Sequence, residues 1–291
     1  MFWNLRSPAC SVRKRCGKPL NSRSKKGDSI NMRTIAIMNV KGGVGKTITT
    51  VNVATILAEL YGKRVLVIDA DGQGDTSAFL GADTSNGAGL PALFQGLVSC
   101  YTEVVDQTEF SGVDLISANS DLYSIDLDAL RIGKDAGRFI ITDLRDNVIE
   151  DDAYDVILID CPPSFTACSV AALAAADGVM IPVKLDAFSV RGMSFLISQI
   201  RNLYRVNGRC KVDGVLVTQW HNVEVIHQAE AMLREKGVPV FSTHIRRTDK
   251  VDESTWYCEP LQVYSRHSSA GVDYRTFVAE WLEKGGLDDG I

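Results

Sequence analysis

Residues 33 to 58 constrain this chain more than any other stretch. Arg33-Thr34-Ile35-Ala36-Ile37-Met38-Asn39 reads as a buried strand, and Ile48 to Ala58 reads as a helix. Between them stands Lys41-Gly42-Gly43-Val44-Gly45-Lys46-Thr47. A strand, a glycine-rich turn, Gly-Lys-Thr and a helix form the context of a phosphate-binding loop. Backbone N–H groups and the positive end of the helix dipole converge on phosphate there. Lys46 is expected on the β- and γ-phosphates, and the Thr47 hydroxyl on a Mg²⁺ ion. Gly42, Gly43, Val44, Gly45 and Ile48 complete the cradle. The common pattern G-x-x-x-x-G-K-[ST] places glycine where this chain has Val40, so the loop is a deviant form with Lys41 as a second cation.

Two acidic strand ends support a nucleotide site. Arg64 to Asp71 is an apolar strand closing on Asp69 and Asp71, and Val156 to Asp160 closes on one aspartate ahead of Cys161-Pro162-Pro163-Ser164. Ligands of open parallel sheets bind at the carboxyl ends of the strands. Asp160 suits the Mg²⁺ shell, through a water. Asp71 suits the positioning of the attacking water, with Asp69 as local support near the metal. Each aspartate alone reads equally well as a cap for the following helix.

The expected strands are 33–39, 64–69, 113–117, 155–160, 178–184, 212–218 and 239–242. Helical stretches alternate with them, which predicts an α/β fold: a single doubly wound, mostly parallel sheet with helices on both faces. No run of eighteen apolar residues occurs, so no membrane span is expected.

Taken together, these motifs make the chain resemble the ParA/Soj family of deviant Walker-A ATPases, relatives of MinD. The resemblance rests on Lys41 to Thr47, on Asp69-Ala70-Asp71-Gly72-Gln73-Gly74, on Asp160 to Ser164 and on Ala175-Ala176-Asp177 before the strand 178–183. It covers about residues 33 to 284. It implies ATP and Mg²⁺ as cofactors, and an ATP-bound homodimer in which Lys41 reaches the partner's nucleotide. It also implies weak ATP hydrolysis stimulated by a ParB-like centromere-binding protein, and a cytoplasmic, nucleoid-associated role in partitioning DNA. Three departures stand out: Gly72 where the family usually has proline, Ala171 where asparagine is common, and Ile245-Arg246-Arg247-Thr248-Asp249-Lys250 in place of Ile-Pro-Arg-Asn-x-Arg.

Charge is uneven along the chain. Residues 1–31 hold eight of the 31 Lys/Arg and one of the 36 Asp/Glu, leaving 23 basic against 35 acidic residues in the remainder. That leader lacks an apolar segment, so it is no secretory signal. It reads as a disordered extension before a domain opening at Met32, ahead of the alternatives of a nucleic-acid arm or a transit-like segment. Affinity for non-specific double-stranded DNA needs local basic clusters. Arg246, Arg247 and Lys250 are the candidates, and Arg201, Arg205, Arg209 and Lys211 form a second group that equally suits ordinary solvated surface. Gln219, in Thr218-Gln219-Trp220, and the loop near Ile245 are expected against the adenine.

Seven scattered cysteines without CxxC spacing predict reduced thiols. The nitrogenase iron protein shares the deviant loop and bridges a cluster with two cysteines. Cys161 and Cys168 lie too close together for that arrangement. The terminal segment Tyr274 to Lys284 is amphipathic but runs into an acidic end. Phe277, Trp281 and Leu282 are therefore expected in the core, and membrane binding of the MinD kind is disfavoured. A MinD-like switch that positions protein cargo without DNA is the alternative function.

Overall fold

The computed structural model describes residues 32–82, 89–132, 137–186, 198, 201–202, 204 and 207–287. The basic leader and Arg205 lie outside the described residues. In chain order the elements are β1 (Arg33–Ile37), α1 (Lys46–Tyr61), β2 (Val65–Asp69), α2 (Asp75–Phe79), α3 (Leu90–Phe94), β3 (Val105–Gln107) and β4 (Val113–Ile116). They continue with α4 (Leu122–Ile132), α5 (Ile140–Glu150), β5 (Val156–Asp160), α6 (Ala167–Ala175), β6 (Gly178–Lys184) and β7 (Lys211–Trp220). The last are α7 (Glu224–Glu235), β8 (Val240–Arg246), α8 (Asp249–Tyr257), α9 (Leu261–Tyr264) and α10 (Ser269–Glu283).

The eight strands lie in the order β3-β4-β2-β5-β1-β6-β7-β8, parallel throughout except for the β3–β4 pair. All seven expected strands are present. The antiparallel edge strand β3 was not expected, because Val105-Asp106-Gln107 has no apolar run and is only partly buried. Strand β8 runs to Arg246, beyond the expected 242. What read as a loop over 245–250 is therefore a strand end, the two residues Arg247 and Thr248, and the start of α8.

Strands β1, β2 and β5 are buried along their whole length, as expected where helices cover both faces. Alternate side chains feed two cores. Ile35, Ile37, Val65 and Val67 pack with α1 and with Tyr274, Phe277 and Trp281 of α10. Ala36, Leu66, Ile68, Ile157 and Ile159 pack with Ile141, Leu144 and Val148 of α5 and Leu173 of α6. Phe277 and Trp281 are thus core residues, as expected. No helix among the described residues is long and apolar enough to cross a membrane.

Helix α1 is buried on nearly every side, yet it carries Thr49, Thr50, Asn52 and Thr55. Each finds a hydrogen-bond partner, within the helix or across the core. Thr50, Asn52 and Thr55 donate to the carbonyls of Lys46, Ile48 and Val51, and Thr49 pairs with the Tyr274 hydroxyl. Buried polar groups without such partners would oppose folding. Among the described residues, Cys161, Cys168, Cys210 and Cys258 are free thiols.

Candidate phosphate and nucleotide site

Register brings the site together. Asp160 lies opposite both Ile37 of β1 and Asp69 of β2, so the loop after β1 and the two acidic strand ends share one edge. The loop turns through Gly43 (φ 70°) and Gly45 (φ 86°), left-handed conformations that glycine adopts without strain. Side chains of β7 hold it from behind: Thr218 Oγ1 donates to the Val44 carbonyl at 2.8 Å and Gln219 Nε2 to the Gly43 carbonyl at 2.7 Å. In a trans peptide the next N–H points the opposite way. The N–H groups of Val44 and Gly45 therefore face away from β7, and a Cβ at Gly42 or Gly43 would meet nothing within 4 Å. Open space faced by backbone donors at a helix start fits a phosphate chain.

The two lysines of the loop are placed differently. Lys46 is buried, and its Nζ lies 3.4 Å from the Lys41 carbonyl, folded back over its own loop. Lys41 is half exposed and pairs with Asp186 beyond β6 at 2.8 Å. Its backbone N–H donates to Asn39 Oδ1, and Asn39 is tied to the Pro182 carbonyl.

Asp160 is fully enclosed. Its Oδ2 accepts from Thr47 at 2.8 Å and from Thr76 at 2.5 Å, while Oδ1 has no partner. Burial raises its pKa to about 6, against the pull of the two hydroxyls and of Lys46. Burial, and then the charge of Asp160, raise Asp69 to about 7. An enclosed carboxylate with an orphaned oxygen beside a threonine hydroxyl fits a cation. No group of three or more His, Cys, Asp or Glu among the described residues is arranged to hold a metal. Thr47 and Asp160 suit Mg²⁺, which keeps several waters and borrows phosphate oxygens.

Asp69 sits beside Asp160 with both oxygens engaged. Oδ1 accepts the Asp71 N–H at 3.1 Å, and Oδ2 accepts the N–H and hydroxyl of Ser77 at 2.8 and 2.6 Å. It braces the turn that carries Asp71. Asp71 in turn accepts the Gln73 N–H at 3.1 Å through Oδ1 and the Gly74 N–H at 2.9 Å through its carbonyl.

Beside the loop lies a cavity of about 190 Å³ lined by Gly45, Ile48, Thr218, Gln219, Ile245, Arg246, Arg247, Thr248, Val251, Asp252 and Tyr274. Gln219 and the segment near Ile245, both expected at adenine, meet there. Arg246 grips Asp273 of α10 through Nε at 2.9 Å and Nη2 at 2.7 Å, and its own N–H bonds the same carboxylate. Lys250 pairs with Glu253 at 2.5 Å, and Arg247 is exposed at the cavity rim. The three basic residues expected on DNA are thus split between a cavity wall, its rim and a local helix pair. Of the second basic group, Arg201 and Arg209 are exposed and Lys211 opens β7.

Thr76, Ser77, Asp186 and Asp273 were missed by sequence reasoning, and Thr218, named only within the segment expected at adenine, instead braces the phosphate loop. Ser77 is the nearest of these in sequence, eight residues after Asp69 and within α2. The others meet their partners only through the sheet's topology.

A deviant phosphate loop, two enclosed carboxylates at adjacent strand ends and a flanking cavity define a P-loop nucleoside-triphosphatase. The comparisons narrow this further. A family model described as an AAA domain matches residues 32–212. The chain is 34% identical over 261 residues to the chromosome-partitioning ATPase Soj of Thermus thermophilus, covering 87% of this chain and 96% of that protein. It is 31% identical over 258 residues to the chromosome partitioning protein ParA of Caulobacter vibrioides, covering 87% and 95%. Among solved structures it resembles cobyrinic acid a,c-diamide synthase from Mycobacterium smegmatis with bound ADP and magnesium. That match has a TM-score of 0.73 and 26% identity, covering 87% of this chain and 94% of that one. The chain belongs to the ParA/Soj family of P-loop ATPases, within the wider ParA/MinD group.

Proposed function

We propose that this protein is a cytoplasmic, nucleoid-associated partition ATPase that dimerises on ATP, binds non-specific double-stranded DNA in that state, and is reset by hydrolysis. ATP and Mg²⁺ are its cofactors. Lys46 and the N–H groups of the loop hold the phosphates, and Thr47 and Asp160 hold the metal, which supplies charge neutralisation on the phosphate oxygens when bound. Asp71 orients the water that attacks the γ-phosphorus, and Asp69 keeps Asp71 in register.

The placement of Lys41 carries this reading. Lys46 folds back on its own loop, whereas the Lys41 ammonium is half exposed and rests on Asp186. An exposed ion pair of this kind contributes little stability. Exchange of Asp186 for a partner's phosphates therefore costs little, and Lys41 is poised for that exchange. ATP then links two protomers, and loss of the γ-phosphate releases them. A ParB-like partner accelerates that release, and Arg247, with Lys250 and Arg246, contributes to the DNA face.

One observation favours a second reading, a MinD-like switch that positions protein cargo without DNA. Arg246 and Lys250 are both paired with acidic neighbours. The test is binding of a random-sequence duplex by the full chain with ATP·Mg²⁺ and with ADP. Salt-sensitive binding in ATP alone supports partition. Dimerisation without DNA binding supports the cargo switch.

A further inference from the structure

Gly72 is the residue of the Asp71 turn on which the ring of Tyr123 is seated. A Cβ built there would lie 2.9, 3.0 and 3.2 Å from Cζ, Cε1 and Cε2 of Tyr123. A side chain at 72 would therefore push the Tyr123 ring out of its present seat against the turn. The Tyr123 hydroxyl also accepts a hydrogen bond from Gln73 Nε2. Gln73 N–H is the donor to Asp71 Oδ1. Ring and hydroxyl thus press on the turn whose first residue is Asp71.

Tyr123 is the second residue of α4. One helical turn later, on the same face, Asp126 accepts the N–H of Ala167 at 2.8 Å. Ala167 opens α6 at the end of the segment that leaves Asp160. Helix α4 packs against α6, so a single helix face holds the segments that follow both acidic strand ends. Tyr123 remains 43% exposed, so it adds little to the core, and its contacts are spent on the turn.

We propose that Tyr123 is a positioning residue for Asp71, and that α4, through Tyr123 and Asp126, couples the two segments flanking the phosphate site. The inference rests on the reading that Asp71 orients the attacking water. Gly72 and Tyr123 form a matched pair: the absent side chain makes room for the ring, and the ring replaces the stiffness that glycine gives up.

The test is steady-state ATP hydrolysis by the full chain carrying Tyr123→Phe, Tyr123→Ala, Gly72→Ala or the Gly72→Ala/Tyr123→Ala pair. Asp71→Ala serves as reference, with thermal unfolding followed in parallel. Removing the hydroxyl lowers kcat about threefold to tenfold with the KM for ATP within about twofold. Tyr123→Ala lowers kcat further. Gly72→Ala alone is also slow, because its Cβ displaces the ring, whereas adding it to Tyr123→Ala does no further harm. If Asp71→Ala is inactive while both Tyr123 variants keep kcat within about twofold, the role of Tyr123 is refuted. A fall in kcat matched by an equal change in KM, or by loss of the folded state, refutes it too. If Asp71→Ala hydrolyses ATP normally, the underlying assignment of Asp71 fails, and this inference falls with it.

Discussion

Two regions at the same sheet edge hold their charges in opposite ways. Around the phosphate loop, Asp160 keeps an unpartnered buried oxygen, two carboxylates stand side by side, and Lys41 rests in an exposed pair. Over residues 246 to 284, charges are matched to their neighbours: Arg246 to Asp273, Lys250 to Glu253, and Glu280 to Lys284 and the backbone of β8. The first arrangement is costly without a ligand and suits a site that binds one. The second is satisfied by itself and suits a scaffold. Charge that is left uncommitted marks the site better than the number of charges does.

The comparison can be broken most directly at Lys46. Lys46→Ala removes the charge-assisted contacts to phosphate, and nucleotide affinity measured with a fluorescent ATP analogue falls by about 100-fold or more. Unchanged affinity would mean that the buried lysine is structural. Asp71→Ala is expected to keep ATP affinity and lower kcat by about 100-fold, leaving the ATP dimer trapped. That outcome separates hydrolysis from binding within the uncommitted region.

Asp273→Asn sharpens the other side. It strips the charged partner from Arg246 in the cavity wall, and the expected result is a KM for ATP raised about threefold to tenfold with kcat retained. An unaltered KM would detach the cavity from the nucleotide.

The smallest effect concerns Glu280. Burial pushes its pKa up, but the Lys284 ammonium and the N–H groups of Ser242 and Thr243 outweigh it and hold the group at about 2. Its folded value is below its usual 4.5, so its stabilising contribution is complete above that pH and is lost as pH falls toward about 2. Glu280→Gln should lower the unfolding temperature at neutral pH and flatten the acid limb between those values. An unchanged acid limb would show that this cap contributes nothing measurable.

The legible parts of the molecule are those whose partners are close in sequence. The phosphate loop declares itself because glycines, lysine and threonine act within seven residues. The strands ending at Asp69 and Asp160 declare themselves because burial on both faces leaves continuous apolar runs. Edge strand β3 was illegible, since half-exposed pairing demands little of its residues. Thr76 reaches Asp160 across 84 positions and Asp273 reaches Arg246 across 27, so neither has a local signature. The basic residues at 246 to 250 divide on the same ground. Their charge was visible in the sequence, but the Asp273 carboxylate that claims Arg246 appears only when α10 is folded against β8, whereas Glu253 is a local partner of Lys250 within α8.

Lys41 ties the uncommitted region to the proposed cycle, and its exchange of partners is the central claim. Light scattering of the full chain carrying Asp71→Ala, with ATP·Mg²⁺ and then with ADP, tests it most directly against the same chain with Lys41→Ala added. The account predicts a doubling of mass in ATP, none in ADP, and loss of the dimer when Lys41 is replaced. A dimer that forms equally well without Lys41, or without ATP, contradicts it.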